Sequence, residues 1–275
     1  MTESQPVVYN QNRPTAEGSH MSNLDYEQAD TEEEFLKGYD LKDFPGVGLT
    51  VDLLIFTIRD GRLSLLLIRR GAHPEKGKWA LPGGFVNTTE SLDEAAAREL
   101  TEETGLEMAG YLEQLRTYGY PGRDKRGFIA STAYVALVPN ASTPHAGDDA
   151  ADAHFFAVED VLGDEDGVEF DLAFDHRNII VDGLERVRAK IEYAPVAHKF
   201  LSGETFTIPE IRKVYEIIWG RELNASNFRR KMLSTPGLLE SVGEKNRDNP
   251  WRPSHLYRAG EATEIFPPLQ RNRIK

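Results

Sequence analysis

The spacing of apolar positions divides this chain into a polar opening, a strand-rich stretch built around one helix, and a run of helices ending in two short strands. Residues 1–43 are rich in Gln, Asn, Ser and Glu, carry an acidic cluster at Glu32-Glu33-Glu34 and lack periodicity, which predicts a disordered leader. Gly18-Ser19-His20-Met21 resembles the scar of a protease-cleaved tag, so residues 1–20 carry no functional weight. From Gly48 the pattern changes. Leu49–Ile58 (LTVDLLIFTI) and Arg62–Arg70 (RLSLLLIRR) predict a hairpin, because the intervening Asp60-Gly61 supplies the positive φ of a two-residue turn. Trp79–Pro82, Tyr111–Gly119, Phe128–Val138 and His154–Val158 read as further strands, and residues 159–162 as a short helix. Ser91 with Glu94 forms a capping-box start and Gly105 a stop, predicting one helix over residues 92–104.

Beyond a connector at 170–175 the period becomes helical. Ile180, Leu184, Val187 and Ile191 predict an amphipathic helix over 176–192, serving either as core or as a dimer contact. Thr207-Ile208-Pro209-Glu210 combines a capping box with a first-turn proline and opens a helix that Gly220 ends, its apolar face Ile211, Val214, Tyr215 and Ile218. A four-residue turn precedes a second helix from about Ala225 to Leu233, with Phe228 and Met232 inward and Asn227, Arg229, Arg230 and Lys231 outward. Leu238–Val242 and Leu256–Tyr257 read as strands flanking a loop that carries Lys245, Arg247 and Arg252. Helix, turn, helix and basic-tipped hairpin is the winged helix-turn-helix pattern, whose second helix enters the major groove while the wing meets the backbone or minor groove. A helical substrate cover or dimer module would share the apolar spacing.

Charge separates these two halves. The 275-residue chain has net charge −13, yet residues 195–275 hold 14 basic against 9 acidic residues. A basic tail on an acidic body implies two jobs and admits a nucleic-acid partner. With no cysteine, disulfides, zinc-thiolate sites and cysteine nucleophiles are excluded. The apolar runs are too short for a membrane helix and no signal peptide opens the chain, which predicts a cytoplasmic protein without a membrane partner.

The candidate chemistry lies in Gly84–Leu106 (GFVNTTESLDEAAARELTEETGL). Glu99, Glu102 and Glu103 stand at i, i+3 and i+4 on one helical face, a crowding of like charge that a hard cation such as Mg2+ or Mn2+ relieves. Arg98 is the adjacent counter-charge. Between two strands, residues 120–127 form a basic loop in which Arg123, Lys125 and Arg126 meet a phosphorylated ligand, with Tyr118 or Tyr120 as a stacking face and Arg70 nearby. The other reading of that loop is a solvated turn.

Gly84, Glu90, Arg98-Glu99-Leu100, Glu102-Glu103 and Gly105-Leu106 resemble, at each defining position, the signature box of the Nudix hydrolases. The resemblance implies an α/β/α Nudix sandwich, with Glu99, Glu102, Glu103 and the Gly84 carbonyl holding the metal and with Glu90 and Arg98 orienting them. If the chain is active, these are also its catalytic residues, and Asp148, Asp149 and Asp152 are candidate general bases outside the box. A Nudix sandwich over 44–170, followed by a linker helix and winged helix over 171–275, resembles the Nudix-related transcriptional regulators of NAD metabolism. That likeness is also carried by Phe174-Asp175-His176 and by Asn227-Phe228-Arg229-Arg230-Lys231. It implies a homodimeric repressor that senses ADP-ribose and binds palindromic operator DNA. Many members of that family have an eroded box, whereas this one is complete, so a Mg2+-dependent ADP-sugar pyrophosphatase stands as the alternative.

Overall fold

The computed structural model describes residues 31–33, 36, 39, 46–104, 110–139, 141, 150–163, 170–246 and 254–271. Residues 1–30, 34, 35, 37, 38 and 40–43 of the expected leader, the 18–21 scar among them, lie outside these residues, as do Gly105, Asp148, Asp149, Arg247, Arg252 and the Lys245 side chain.

The hairpin forms as its sequence requires. Strands β1 (Gly48–Arg59) and β2 (Arg62–Arg70) pair antiparallel through Asp60 at φ 49° and Gly61 at φ 75°, both left-handed as a primed turn demands. With β3 (Trp79–Ala80), β4 (Gly83–Phe85), β5 (Tyr111–Tyr118), β6 (Ile129–Leu137) and β7 (Ala150–Ala157) they make a seven-stranded mixed sheet, and β1 and β6 are parallel at its centre. A central strand covered on both faces needs apolar residues at consecutive positions, which is why β1 reads as a run rather than an alternation.

Two helices cover the sheet. Helix α1 (Leu92–Thr104) packs Ala95, Ala96 and Leu100 on Val51, Leu53 and Ile55. Its start is the capping box the sequence predicts, with the Ser91 amide donating to Glu94 at 2.8 Å and the Glu94 amide to Ser91 Oγ at 3.2 Å. After the short helix α2 (Val158–Leu162), helix α3 (His176–Tyr193) packs Ile179, Ile180, Leu184 and Val187 against Leu54, Phe56, Leu65 and Leu67 on the opposite face. The choice between core helix and dimer contact thus resolves to core for the inward face of α3. Gly183 lets α3 come close, since a Cβ there would stand 2.6 Å from a Leu54 methyl.

The same core continues into the C-terminal part through Phe206, Ile211, Val214, Tyr215, Ile218, Phe228 and Met232. Helix α4 (Ile208–Trp219) opens on the Thr207/Glu210 capping box and ends at Gly220, φ 65°. Helix α5 (Ala225–Ser234) is capped by Asn224, whose side chain accepts from the Asn227 amide. Strands β8 (Phe206–Thr207), β9 (Leu239–Asn246) and β10 (Ser254–Ala259) form a three-stranded sheet in the order β8-β10-β9, the wing of a winged helix. The wing strands run further into the basic loop than the sequence indicates, because ladder pairing at Ser254–Asn246 and His255–Lys245 extends them past the apolar residues.

Candidate functional site

The Gly83–Gly84 segment and α1 deliver the box to the mouth of a cavity of about 770 Å³ at one end of the sheet. Thr50, Asp52, Arg70, Gly84, Phe85, Glu99, Glu102, Glu103, Arg123, Asp124, Arg126, Phe174 and His176 line it. Gly84 lies close to the box: a Cβ there would stand 2.3 Å from Glu99 Oε1, so a side chain at this position would displace the Glu99 carboxylate.

Arg98 organises the acidic side. It donates to Glu90 Oε1 at 2.9 Å, Glu99 Oε1 at 2.7 Å, Glu102 Oε2 at 3.1 Å and the Phe85 carbonyl at 3.3 Å. The Arg98 guanidinium, helped by the Asn87 amide, holds the Glu90 carboxyl down to about 2. Burial pushes the Glu99 carboxyl up despite the arginine. Glu103 has no such neighbour: burial, then repulsion from Glu99 and Glu102, pushes it up to about 7, and its Oε2 is buried without a hydrogen-bond partner.

Among the described residues, no three His, Cys, Asp or Glu side chains converge as a preformed metal cluster, because Glu99 and Glu102 both turn toward Arg98. The donor set still fits a hard divalent ion. A buried carboxylate oxygen with no donor, beside a second desolvated carboxylate, is stabilised by a cation when ionised and otherwise takes up a proton. Nudix hydrolases in general use a divalent metal.

The opposite wall is basic and aromatic. Arg70 donates to the Pro74 carbonyl at 2.8 Å and lies 4.9 Å from the centre of the Phe174 ring. Burial, then repulsion from Arg126, lowers its pKa. Arg126 pairs with Asp124 and lies 5.2 Å over the Phe85 ring.

The remaining loop residues fall elsewhere than a simple basic loop implies. Arg123 lines the cavity but is buried, and its guanidinium forms a two-point contact with Asp175 at 2.7 and 3.2 Å, so its charge is already balanced. Lys125 is 79% exposed, pairs with Glu75 at 2.7 Å and does not line the cavity. Tyr118 is also absent from the lining: its ring is buried in the core and its hydroxyl donates to Asp182 at 2.7 Å. Tyr120 is about half exposed and likewise outside the lining. Asp152 pairs with His154 at 2.8 Å and is not part of the cavity lining.

Sequence reasoning gave no role to the polar floor. Asp52 accepts from Ser131 Oγ at 2.5 Å and stands 3.7 Å from Arg123 and 3.8 Å from His176 Nε2. His176 is fully enclosed, its pKa lowered by burial, and its Nδ1 accepts from the Leu81 amide at 2.8 Å. The neutral ring therefore carries its proton on Nε2, toward Asp52. One signal was present: a lone aspartate inside the apolar run LTVDLLIFTI cannot be buried without a partner.

In the C-terminal part, Arg229 and Arg230 of α5 are exposed, and Asn227 and Lys231 are half-buried. Arg230 donates to Asn227 Oδ1 at 3.0 Å, and burial lowers the Lys231 pKa. Phe228 and Met232 are buried on the other side. Among the described residues no helix is long and apolar enough to cross a membrane.

Comparison with known proteins agrees with both halves. Residues 48–181 match the NUDIX domain model and residues 200–259 the NrtR DNA-binding winged helix domain model. The "ADPR responsive transcriptional repressor NtrR" of Acinetobacter baylyi is 34% identical over 230 residues, covering 83% of this chain and 88% of that protein. The crystal structure of Shewanella oneidensis NrtR complexed with a 27mer DNA superposes with a TM-score of 0.68 at 32% identity, over 81% of this chain and 99% of that one. The NUDIX domain of that same NrtR, crystallised with ADP ribose, superposes with a TM-score of 0.51 at 38% identity, over 57% of this chain and 99% of that one. A box-bearing Nudix sandwich that shares its core with a winged helix, matched over nearly the full length of a repressor of this type, shows that the chain belongs to the NrtR family of Nudix-related transcriptional regulators.

Proposed function

We propose that this chain is a ligand-responsive transcriptional repressor of NAD biosynthesis or salvage genes. It reads operator DNA through the winged helix and senses ADP-ribose, or a related nucleotide, in the box cavity. The observation that carries this reading is α5: its apolar side is buried while Arg229 and Arg230 stand in solvent at the position from which a recognition helix enters the major groove. Asn227 and Lys231 flank them, and Lys245, Arg247 and Arg252 supply the wing.

The chain works in the cytoplasm as a homodimer, because one winged helix offers few base contacts, whereas a two-fold pair reads two half-sites about one helical turn apart. The cavity suits a phosphorylated nucleotide on two counts: arginines on aromatic faces at one wall and a carboxylate wall that takes a cation at the other. Arg70 and Arg126 contact the ligand directly. Glu99, Glu102 and Glu103 with the Gly84 carbonyl would hold Mg2+ or Mn2+, which would neutralise phosphate charge against the glutamates. Arg98 and Glu90 orient the carboxylates.

Hydrolysis of ADP-ribose is the second reading, favoured by the complete box. The test of the first is fluorescence anisotropy on labelled duplexes from upstream of NAD-related genes. Sequence-specific binding that disappears in Arg229→Ala plus Arg230→Ala supports it, and the absence of specific binding to any fragment overturns it. Rapid metal-dependent release of AMP from ADP-ribose would favour the enzyme.

A further inference from the structure

One helix touches both the cavity floor and the winged helix. Asp175, the residue before α3, makes no side-chain cap to its own helix. Its carboxylate turns instead to Arg123, and the two side chains are only 2% and 4% exposed. Asp52 stands 3.7 Å from the same guanidinium, so two buried carboxylates share one cation that also faces the cavity. An anion entering the cavity would compete with Asp175 for Arg123.

Thirteen residues later, about 20 Å along the axis, α3 is fastened to the winged helix. The Trp219 indole N–H donates to the Arg188 carbonyl at 3.1 Å, and Arg188 Nε donates back to the Ile218 carbonyl at 3.1 Å. The Ile265 amide donates to the Tyr193 carbonyl at 2.6 Å and the Leu269 amide to the Glu192 carbonyl at 2.8 Å, holding the last turn of α3 to the C-terminal segment. Beside this joint lies a cleft of about 750 Å³, flanked by Arg62 and Glu159 on one side and by Arg212 and Glu216 on the other. Each wall pairs its own charges, Arg62 with Glu159 and Arg212 with Glu216, so these ion pairs do not lock the cleft shut.

We propose that α3 is the intrachain link by which cavity occupancy reaches the DNA-binding surface. A phosphorylated ligand drawing on Arg123 weakens the Arg123–Asp175 pair, shifts the first turn of α3, and moves α4 and α5 through the Arg188–Trp219 joint. This rests on the functional reading above. A ligand shifts an equilibrium only by its different contacts in the two states, and here the contact that differs is the guanidinium shared with Asp175.

The test measures, in the full chain, the ratio of DNA dissociation constants with and without saturating ADP-ribose. It compares the unmodified protein with Trp219→Phe, Arg188→Met and Asp175→Asn. Calorimetry gives ADP-ribose affinity in parallel. Because the ratio is taken within each variant, a drop in affinity common to both states cancels. The unmodified ratio is expected in the range of about 5–150, and each variant should bring it to near 1, while Trp219→Phe and Arg188→Met bind ADP-ribose as before. Variants that keep the unmodified ratio overturn the link and leave the repressor reading intact, since the coupling then runs by another route such as a dimer interface. A ratio of 1 in the unmodified chain removes the repressor reading itself, and the link with it.

Discussion

The two charged helices of this protein solve opposite problems. On α1, carboxylates are drawn into the protein: Glu99 is buried, Glu103 has an unsatisfied buried oxygen, and one arginine, Arg98, bridges Glu90, Glu99 and Glu102. On α5, cations are left in water over an apolar inner side. Buried like charges call for a small ion at a fixed place, whereas exposed cations suit a large polyanion that releases counterions as it docks. On the proposed function, that difference assigns ligand chemistry to one helix and nucleic-acid contact to the other. The buried Arg123–Asp175 pair stands apart from both, because it is a desolvated pair in the interior.

Interior changes should separate the two regions with the largest effects. Phe228→Ala empties a fully buried site where the ring meets Tyr215 edge to face at 5.3 Å. It should cost about 3–5 kcal/mol in urea or thermal unfolding. Arg123→Ala leaves Asp175 and Asp52 without their cation and should cost about the same, on the order of 3–5 kcal/mol, although Arg123 lies in a loop that resembles a solvated turn. A loss below about 1 kcal/mol would show the pair to be dispensable.

The α5 surface comes next. Arg229→Ala or Arg230→Ala should weaken specific DNA binding by about 1–3 kcal/mol for each guanine that the side chain no longer reads, with little change in unfolding. Removing one wing cation per subunit, as in Arg252→Ala, should flatten the salt dependence of binding by about 2 units per dimer. Unchanged DNA affinity in both arginine variants would place the interface elsewhere.

The α1 face should reveal itself by pH. The Glu103 carboxyl is raised from 4.5 to about 7 by burial and its glutamate neighbours, so its protonated form is favoured in the folded chain. The stability this gives is fully present below about 4.5 and disappears as pH rises through about 7. Metal-free protein should therefore lose stability across that window, and Glu103→Gln should flatten the change. Divalent cations need the ionised carboxylate and should restore stability at the alkaline end. An identical pH profile in Glu103→Gln would refute the assignment. The smallest effect belongs to Lys125→Ala, whose exposed pair with Glu75 should contribute less than about 1 kcal/mol and leave ADP-ribose affinity unchanged, in contrast to Arg126→Ala.

What the sequence made legible was local. The capping boxes at Ser91/Glu94 and Thr207/Glu210, the Asp60-Gly61 turn and the i, i+3, i+4 glutamates depend on residues a few positions apart, and each forms as its spacing demands. The winged-helix strands were placed but cut short, because polar residues in a ladder carry no apolar period. The cavity floor was not legible. Arg123 meets Asp175 across 52 residues and Ser131 meets Asp52 across 79, pairings fixed by sheet register and by where α3 begins. Tyr118 was misjudged for a related reason: strand parity gives a side chain's face only once the covering helix is known, and α3 encloses it through Asp182.

The central claim is that one chain couples nucleotide sensing to DNA binding. ADP-ribose titrated, with Mg2+, into the protein bound to a labelled operator duplex tests it most directly by fluorescence anisotropy. The account predicts that DNA affinity falls as ADP-ribose saturates, and that Arg70→Ala plus Arg126→Ala abolishes the response while DNA is still bound. Equal DNA affinity at zero and saturating ADP-ribose, with calorimetry showing the nucleotide bound, would contradict it.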